Sequence, residues 1–120
     1  MVNITSDIKK LIENNPIAFA TINSLNKPNV IAVVYVKVVS DNQILITDNF
    51  MKQTKENLLL NNNVCLAVWD KDWNGYKISG IAQYFTDGKW KKYVENMPQN
   101  KGLPAKGAIV VDISKLEKLS

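Results

Sequence analysis

From Thr47 to Leu58 the chain reads Thr47-Asp48-Asn49-Phe50-Met51-Lys52-Gln53-Thr54-Lys55-Glu56-Asn57-Leu58, with the apolar run from Ile44 before it and helix formers after it. A strand that ends where a helix begins leaves unpaired backbone N–H groups at the positive end of the helix dipole. Lys52 and Lys55 add charge there, and Thr47, Gln53 and Thr54 add neutral donors. Such a set suits a phosphate group. An ordinary capped surface helix with solvated lysines has the same composition, and composition alone favours that plainer reading.

The rest of the inventory narrows the chemistry. All 15 cations are lysine, there is no histidine, and the net charge is +4. No Ser-His-Asp or Cys-His apparatus and no His-ligated metal site can be assembled. No arginine fork is available for bidentate recognition of phosphate or guanine. Any bound anion must be held by lysines, backbone N–H groups, hydroxyls and amides. Cys65 stands alone in the apolar run Val64–Trp69, which excludes an internal disulfide and reads as a small buried hydrophobe. The lysines are scattered, and the densest group, Lys89, Lys91 and Lys92, reads as a solvated helix face rather than a nucleic-acid surface. No signal peptide is evident, and the longest apolar stretch, Val30 to Val39, is too short for a membrane helix and carries Lys37. A reducing, cytoplasmic location is the expectation, with neither nucleic acid nor membrane as partner.

These residues need elements to position them. At 120 residues with 46% hydrophobic content, the chain fits a single domain, 1–120, with a core of its own. Ser6 is placed to cap a first helix with Ile8, Leu11 and Ile12 on one face, stopped by Asn14-Asn15-Pro16. Ile17 to Asn23 reads as a strand, and Asn26-Lys27-Pro28-Asn29 turns the chain into a long strand, Val30–Ser40, apolar on both faces. Ile44–Thr47 is a short strand. Asp48 or Asn49 then caps a helix from about Met51 to Asn61. Val64–Trp69 and Tyr76–Phe85 form a hairpin through Asp72-Trp73-Asn74-Gly75, with Asn-Gly suited to a type I′ turn. A helix bearing Trp90, Tyr93, Val94 and Met97 follows, then a Pro/Gly loop, a last strand Ala108–Ile113, and a helical turn capped by Ser114. Short connections make the sheet mainly antiparallel. The pattern is mainly β, a small antiparallel barrel whose gaps are closed by helices.

The order and spacing of these segments resemble the pyridoxamine 5′-phosphate oxidase-like family of FMN-binding split barrels, in particular its minimal members. The likeness runs through Lys27-Pro28-Asn29-Val30, Ile44-Leu45-Ile46-Thr47-Asp48 and the helix start ending in Asn57-Leu58. It continues in Tyr76-Lys77-Ile78-Ser79-Gly80-Ile81-Ala82, Phe85-Thr86-Asp87-Gly88 and Pro104-Ala105-Lys106-Gly107-Ala108. It covers nearly the whole chain.

The resemblance implies a split barrel and a homodimer with FMN in clefts at the subunit interface. Gln53, Thr54 and Asn57 fall on the family's phosphate-binding positions; Gln53 replaces a cation there, and Lys52 or Lys55 can supply the charge from a neighbouring position. The flavin ring is expected along Val30, Ile31, Ala32 and Val33 together with Ile46, Thr47 and Asp48. The partner is expected to contribute Trp73 and Lys77. The implied activity is that of a flavin-dependent oxidoreductase or electron-transfer protein. True pyridoxamine phosphate oxidase activity is not expected, because its substrate-phosphate basic residues have no evident counterparts. A deazaflavin-dependent relative and a cofactor-free binding barrel are the alternatives.

Overall fold

The computed structural model describes residues 2–119. Helix α1 (Ser6–Asn14) begins at the very residue expected to cap it. Thr5, in extended conformation, is the cap, and its Oγ1 accepts from the Ile8 N–H at 3.4 Å. Ser6 is already inside the helix, and a capping residue must lie outside helical geometry.

The strands are β1 (Ile17–Ile22), β2 (Pro28–Val33), β3 (Val36–Ser40), β4 (Gln43–Asp48), β5 (Asn63–Trp69), β6 (Gly75–Phe85) and β7 (Gly107–Lys118). Helix α2 (Gln53–Leu60) follows β4, and α3 (Gly88–Glu95) follows β6. All pairings are antiparallel, in the order β2-β1-β5-β6-β7-β4-β3.

The long strand expected over Val30–Ser40 is two strands. Ile17 pairs with Val33, and before Ile17 stands Pro16, which has no N–H to extend the ladder. The chain leaves β1 at Val34-Tyr35 and pairs next with β4, at the far end of the strand order. Only three Cα steps, about 11 Å at most, separate Val33 from Val36. The two ends of the sheet must therefore meet, and the sheet curls into a barrel that stays split between β2 and β3. Apolar residues on both sides of this segment suit a strand pair that fills a barrel on one side and borders a cleft on the other.

Two further expectations are corrected. Ser114 does not start a helical turn: β7 stays extended to Lys118 and pairs with β6 as far as Tyr76. A register shift at Ser79/Gly80 accommodates the extra length, and Ser114 Oγ donates to the Ser79 carbonyl there. Gly80 is required at that shift, since a Cβ would strike the carbonyl oxygen of Asp112. The β5–β6 turn is not centred on Asn74-Gly75 either. Gly75 already pairs with Trp69, and Asp70 organises the turn by accepting the N–H groups of Asp72 and Asn74 at 2.9 and 3.0 Å. The left-handed residue is Trp73, at φ 67°.

The barrel interior holds Ile17, Phe19, Ile44, Ile46, Leu66 and Val68 among others, and α1 contributes Ile8 and Ile12. A second cluster lies outside the sheet, where Val94 and Met97 pack on Leu45, Ala108 and Val110. Strand β4 and the first half of β7, Gly107–Val111, are thus buried on both faces. No described helix is long and apolar enough to cross a membrane.

Candidate functional site at the barrel seam

Splitting the barrel opens a groove of about 420 Å³ between β2 and the segment joining β4 to α2. Ile31, Ala32, Val33, Thr47, Lys52, Gln53 and Thr54 line it, so residues expected to meet a flavin ring and its phosphate share one concavity. β2 is an edge strand with β1 as its ladder partner. The backbone groups on its other side are therefore free of the sheet.

Helix α2 begins at Gln53 rather than Met51. Its N-cap, Lys52, makes no side-chain capping bond. Asp48, one of two expected caps, instead closes the turn before the helix, accepting the Met51 N–H at 2.8 Å. The first N–H groups of α2 thus have neither helical acceptors nor a side-chain cap. Thr54 is only 2% exposed and its hydroxyl accepts from Asn29 Nδ2 at 3.3 Å. Lys52 lines the groove, whereas Lys55 Nζ lies 5.2 Å above the Tyr84 ring. Of the two lysines that can serve an anion there, geometry favours Lys52.

Other expected residues lie elsewhere. Val30 is 64% exposed and outside the groove lining. Ile46 is fully buried in the barrel core. Asp48 is fully buried as well and accepts a short hydrogen bond from the Tyr84 hydroxyl. Burial, that hydrogen bond and the negative charge of Asp48, in that order, push the Tyr84 phenol well above its ordinary range. Asn57, 1% exposed, donates to Thr21 Oγ1 at 2.9 Å and accepts from Gln53 Nε2 at 2.7 Å. It ties α2 to β1 and orients Gln53 from behind. Trp73 and Lys77 sit on the β5–β6 hairpin, away from the groove of their own chain, and Lys77 pairs with Glu117 at 3.5 Å.

Sequence reasoning missed Asn29, Val34, Tyr35, Asn49, Phe50, Met51 and Leu103 as lining residues. Phe50 carried a signal, being an aromatic at the predicted junction of strand and helix; Tyr35 carried none, because it read as the middle of one long strand. Leu103 carried none, because it arrives on a loop. Asn49 binds that loop to the groove: its Nδ2 donates to Asn100 Oδ1 at 2.7 Å and its Oδ1 accepts from the Ala105 N–H at 2.9 Å. Lys106 Nζ adds a bond to the Met51 carbonyl at 2.9 Å. Among the described residues no cluster of His, Cys, Asp and Glu could hold a metal ion.

A seven-stranded antiparallel barrel, split beside an uncapped helix start, defines a split-barrel protein of the pyridoxamine 5′-phosphate oxidase type. The family model described as pyridoxamine 5′-phosphate oxidase matches residues 4–120, and the chain belongs to that family. It is 32% identical to an uncharacterised protein of Methanocaldococcus jannaschii, MJ0282, over 99% of this chain and 83% of the relative. Among solved structures it is similar to HupZ of Group A Streptococcus, with a TM-score of 0.89 and 24% identity over 97% of this chain and 94% of the other. It is also similar to an FMN-binding protein of Syntrophomonas wolfei, with a TM-score of 0.79 and 20% identity over 93% and 83% of the two chains. At these identities the structural likeness speaks for the fold.

Proposed function

We propose that this protein is an FMN-binding flavoprotein, a homodimer that serves as an oxidoreductase or electron-transfer protein in the cytoplasm. One observation carries the reading: in a chain of this family, Lys52, Gln53 and Thr54 stand at the uncapped start of α2, at one end of a groove walled by β2. The residues present suit the group. A volume of about 420 Å³ lies within the usual ~300–1,000 Å³ of ligand pockets. Lys52 and the first N–H groups of α2 would hold the phosphate, with Thr54 fixed beneath them. The free edge of β2 at Ile31–Val33 would meet the polar rim of the ring, while the Ile31 and Val33 side chains present apolar surface.

Bound FMN would supply hydride or single-electron transfer. The chain's share is to orient the ring, exclude water through Val33, Met51 and Leu103, and place positive charge at the phosphate. The groove has no imidazole or guanidinium, so positioning and electrostatics carry the work rather than a side-chain proton relay. A phosphorylated substrate such as pyridoxamine phosphate would need a second basic group beside the ring, and Lys52 is already engaged with the cofactor. In the homodimer, the partner's hairpin brings its copies of Trp73 and Lys77 over the groove.

Visible absorption of the purified protein, before and after FMN is added and excess removed, tests this reading. The two-band spectrum of an oxidised flavin, retained with the protein, is the expected result. A colourless protein that retains no FMN sinks the proposal, and a single deazaflavin-type band transfers it to the deazaflavin alternative.

A further inference from the structure

A second concavity of about 590 Å³ opens between the outer strand β3 and helix α3, with Lys37, Lys89 and Lys92 around it and Met97 and Pro98 among its walls. The helical repeat explains how α3 builds one side. Trp90, Val94 and Met97 turn inward onto the second core cluster, while Lys89, Lys92, Tyr93 and Asn96 follow one another at i, i+3, i+4 and i+7 along the groove. Lys37 faces them from β3. None of the three lysines has an ion-pair partner among the described residues. Glu95 pairs with Lys91 at 3.3 Å and Glu13 accepts the Val38 N–H at 2.9 Å, while Lys89 Nζ rests 4.8 Å from the Trp90 ring centroid.

This arrangement works against local stability. Lys89 and Lys92 are like charges one turn apart, and Lys89 stands in the first turn of α3, where the helix dipole disfavours a cation and the only acid nearby in sequence is the N-cap Asp87. Three cations without ion-pair partners, from two elements and gathered around one hollow, produce a focused positive potential. Asn96 and Gln99 add neutral donors, and the Tyr93 ring, 44% exposed, offers a flat apolar face beside the charges.

We infer that the β3–α3 groove is a binding site for a small phosphorylated, ring-bearing anion of the nucleotide class. Lys37, Lys89 and Lys92 hold the phosphates, and Tyr93 meets the ring. The site is separate from the groove at the barrel seam, with the segment from Met97 to Leu103 as the wall between them. Thr47 lines one groove and Met97 the other, and the Thr47 hydroxyl lies 3.8 Å from the Met97 sulfur. It stands independently of the flavin reading.

Titration of the isotopically labelled full chain with adenosine diphosphate, inorganic pyrophosphate and adenosine, followed by amide chemical shifts, tests the inference. Adenosine diphosphate is expected to shift Lys37 and the residues from Lys89 to Gln99. Pyrophosphate should do so more weakly and adenosine not at all. The double variant Lys89→Gln/Lys92→Gln, which changes exposed side chains only, should weaken adenosine diphosphate about tenfold or more. Tyr93→Ala should bring adenosine diphosphate and pyrophosphate to similar affinities, because the variant removes the ring contact alone. Absence of any response to adenosine diphosphate, shifts confined to residues 49–54, or unchanged affinity in the double variant would each overturn the assignment. So would binding of a single-stranded oligonucleotide without a response to adenosine diphosphate, which would make the face a nucleic-acid surface.

Discussion

Lys52 and Thr54 divide the labour at the start of α2, one as an exposed charge and the other as a buried hydroxyl. If they hold a phosphate, replacing both with alanine should weaken FMN about ten- to a hundredfold, at roughly 1.5–3 kcal/mol for each charged hydrogen bond lost. Riboflavin, which lacks the phosphate, should bind almost as before. Comparing the two ligands by fluorescence titration checks this, and equal losses would move the phosphate elsewhere. Tyr84 makes a different kind of prediction. Tyr84→Phe leaves buried Asp48 with one donor fewer and should lower unfolding stability by about 1–3 kcal/mol in urea. The pH dependence follows from the raised phenol. In the folded state Tyr84 stays protonated where the unfolded chain ionises, so its stabilisation is complete below about pH 10 and lost as pH rises beyond it. The wild-type protein should therefore lose stability more steeply than Tyr84→Phe above about pH 10.

At the scale of elements, the β5–β6 hairpin combines local strain with exposure. Trp73 holds a left-handed backbone at φ 67° and is 78% exposed, a conformation that costs a non-glycine residue roughly 1–2 kcal/mol. Trp73→Gly should raise stability by about 1 kcal/mol, read as a higher denaturation midpoint. If the hairpin reaches a partner's groove, the same change should lower FMN affinity. A gain in stability with no loss of affinity would remove Trp73 from the site. The elements themselves were largely legible in the chain: α1, α2, α3 and most strands fall where caps, turns and periodicity placed them. The errors came where tertiary pairing competes with local signals. Val34-Tyr35 has the β propensity of its neighbours and breaks only because the ladder to β1 ends at Pro16. Ser114 has the look of a cap, and β6 supplies a ladder for it instead.

Across the whole molecule, the groove rim carries exposed apolar side chains, with Phe50 75% and Val34 50% accessible, and the hairpin adds Trp69 and Trp73. Exposed apolar surface at two separate places marks candidate interaction sites, and a second copy of the chain, its hairpin set against this groove, is the partner that the proposed function requires. Light scattering should then give twice the 13.5 kDa chain mass. Phe50→Asp should shift the protein towards the single chain and weaken FMN together with it. A monomeric wild type would exclude the shared site.

The sequence by itself determined the chemistry that could be present. With lysine as the sole cation type and no histidine, it excluded imidazole catalysis and left an anion to lysines, hydroxyls and backbone N–H groups. It also placed a helix start at about Met51, two residues before the observed one at Gln53, because periodicity is local; the expected caps, Asp48 and Asn49, are engaged in other hydrogen bonds. Only the tertiary structure decided that β2 and β3 part company, which opens the groove, and that Lys52 faces it while Lys55 rests on Tyr84. It alone decided that Lys89 and Lys92 face Lys37 across a second hollow rather than forming a plain solvated face. Those outcomes depend on which distant strands share a ladder and on which way a helix is turned when its apolar stripe is buried. Neither is encoded in any short stretch of residues.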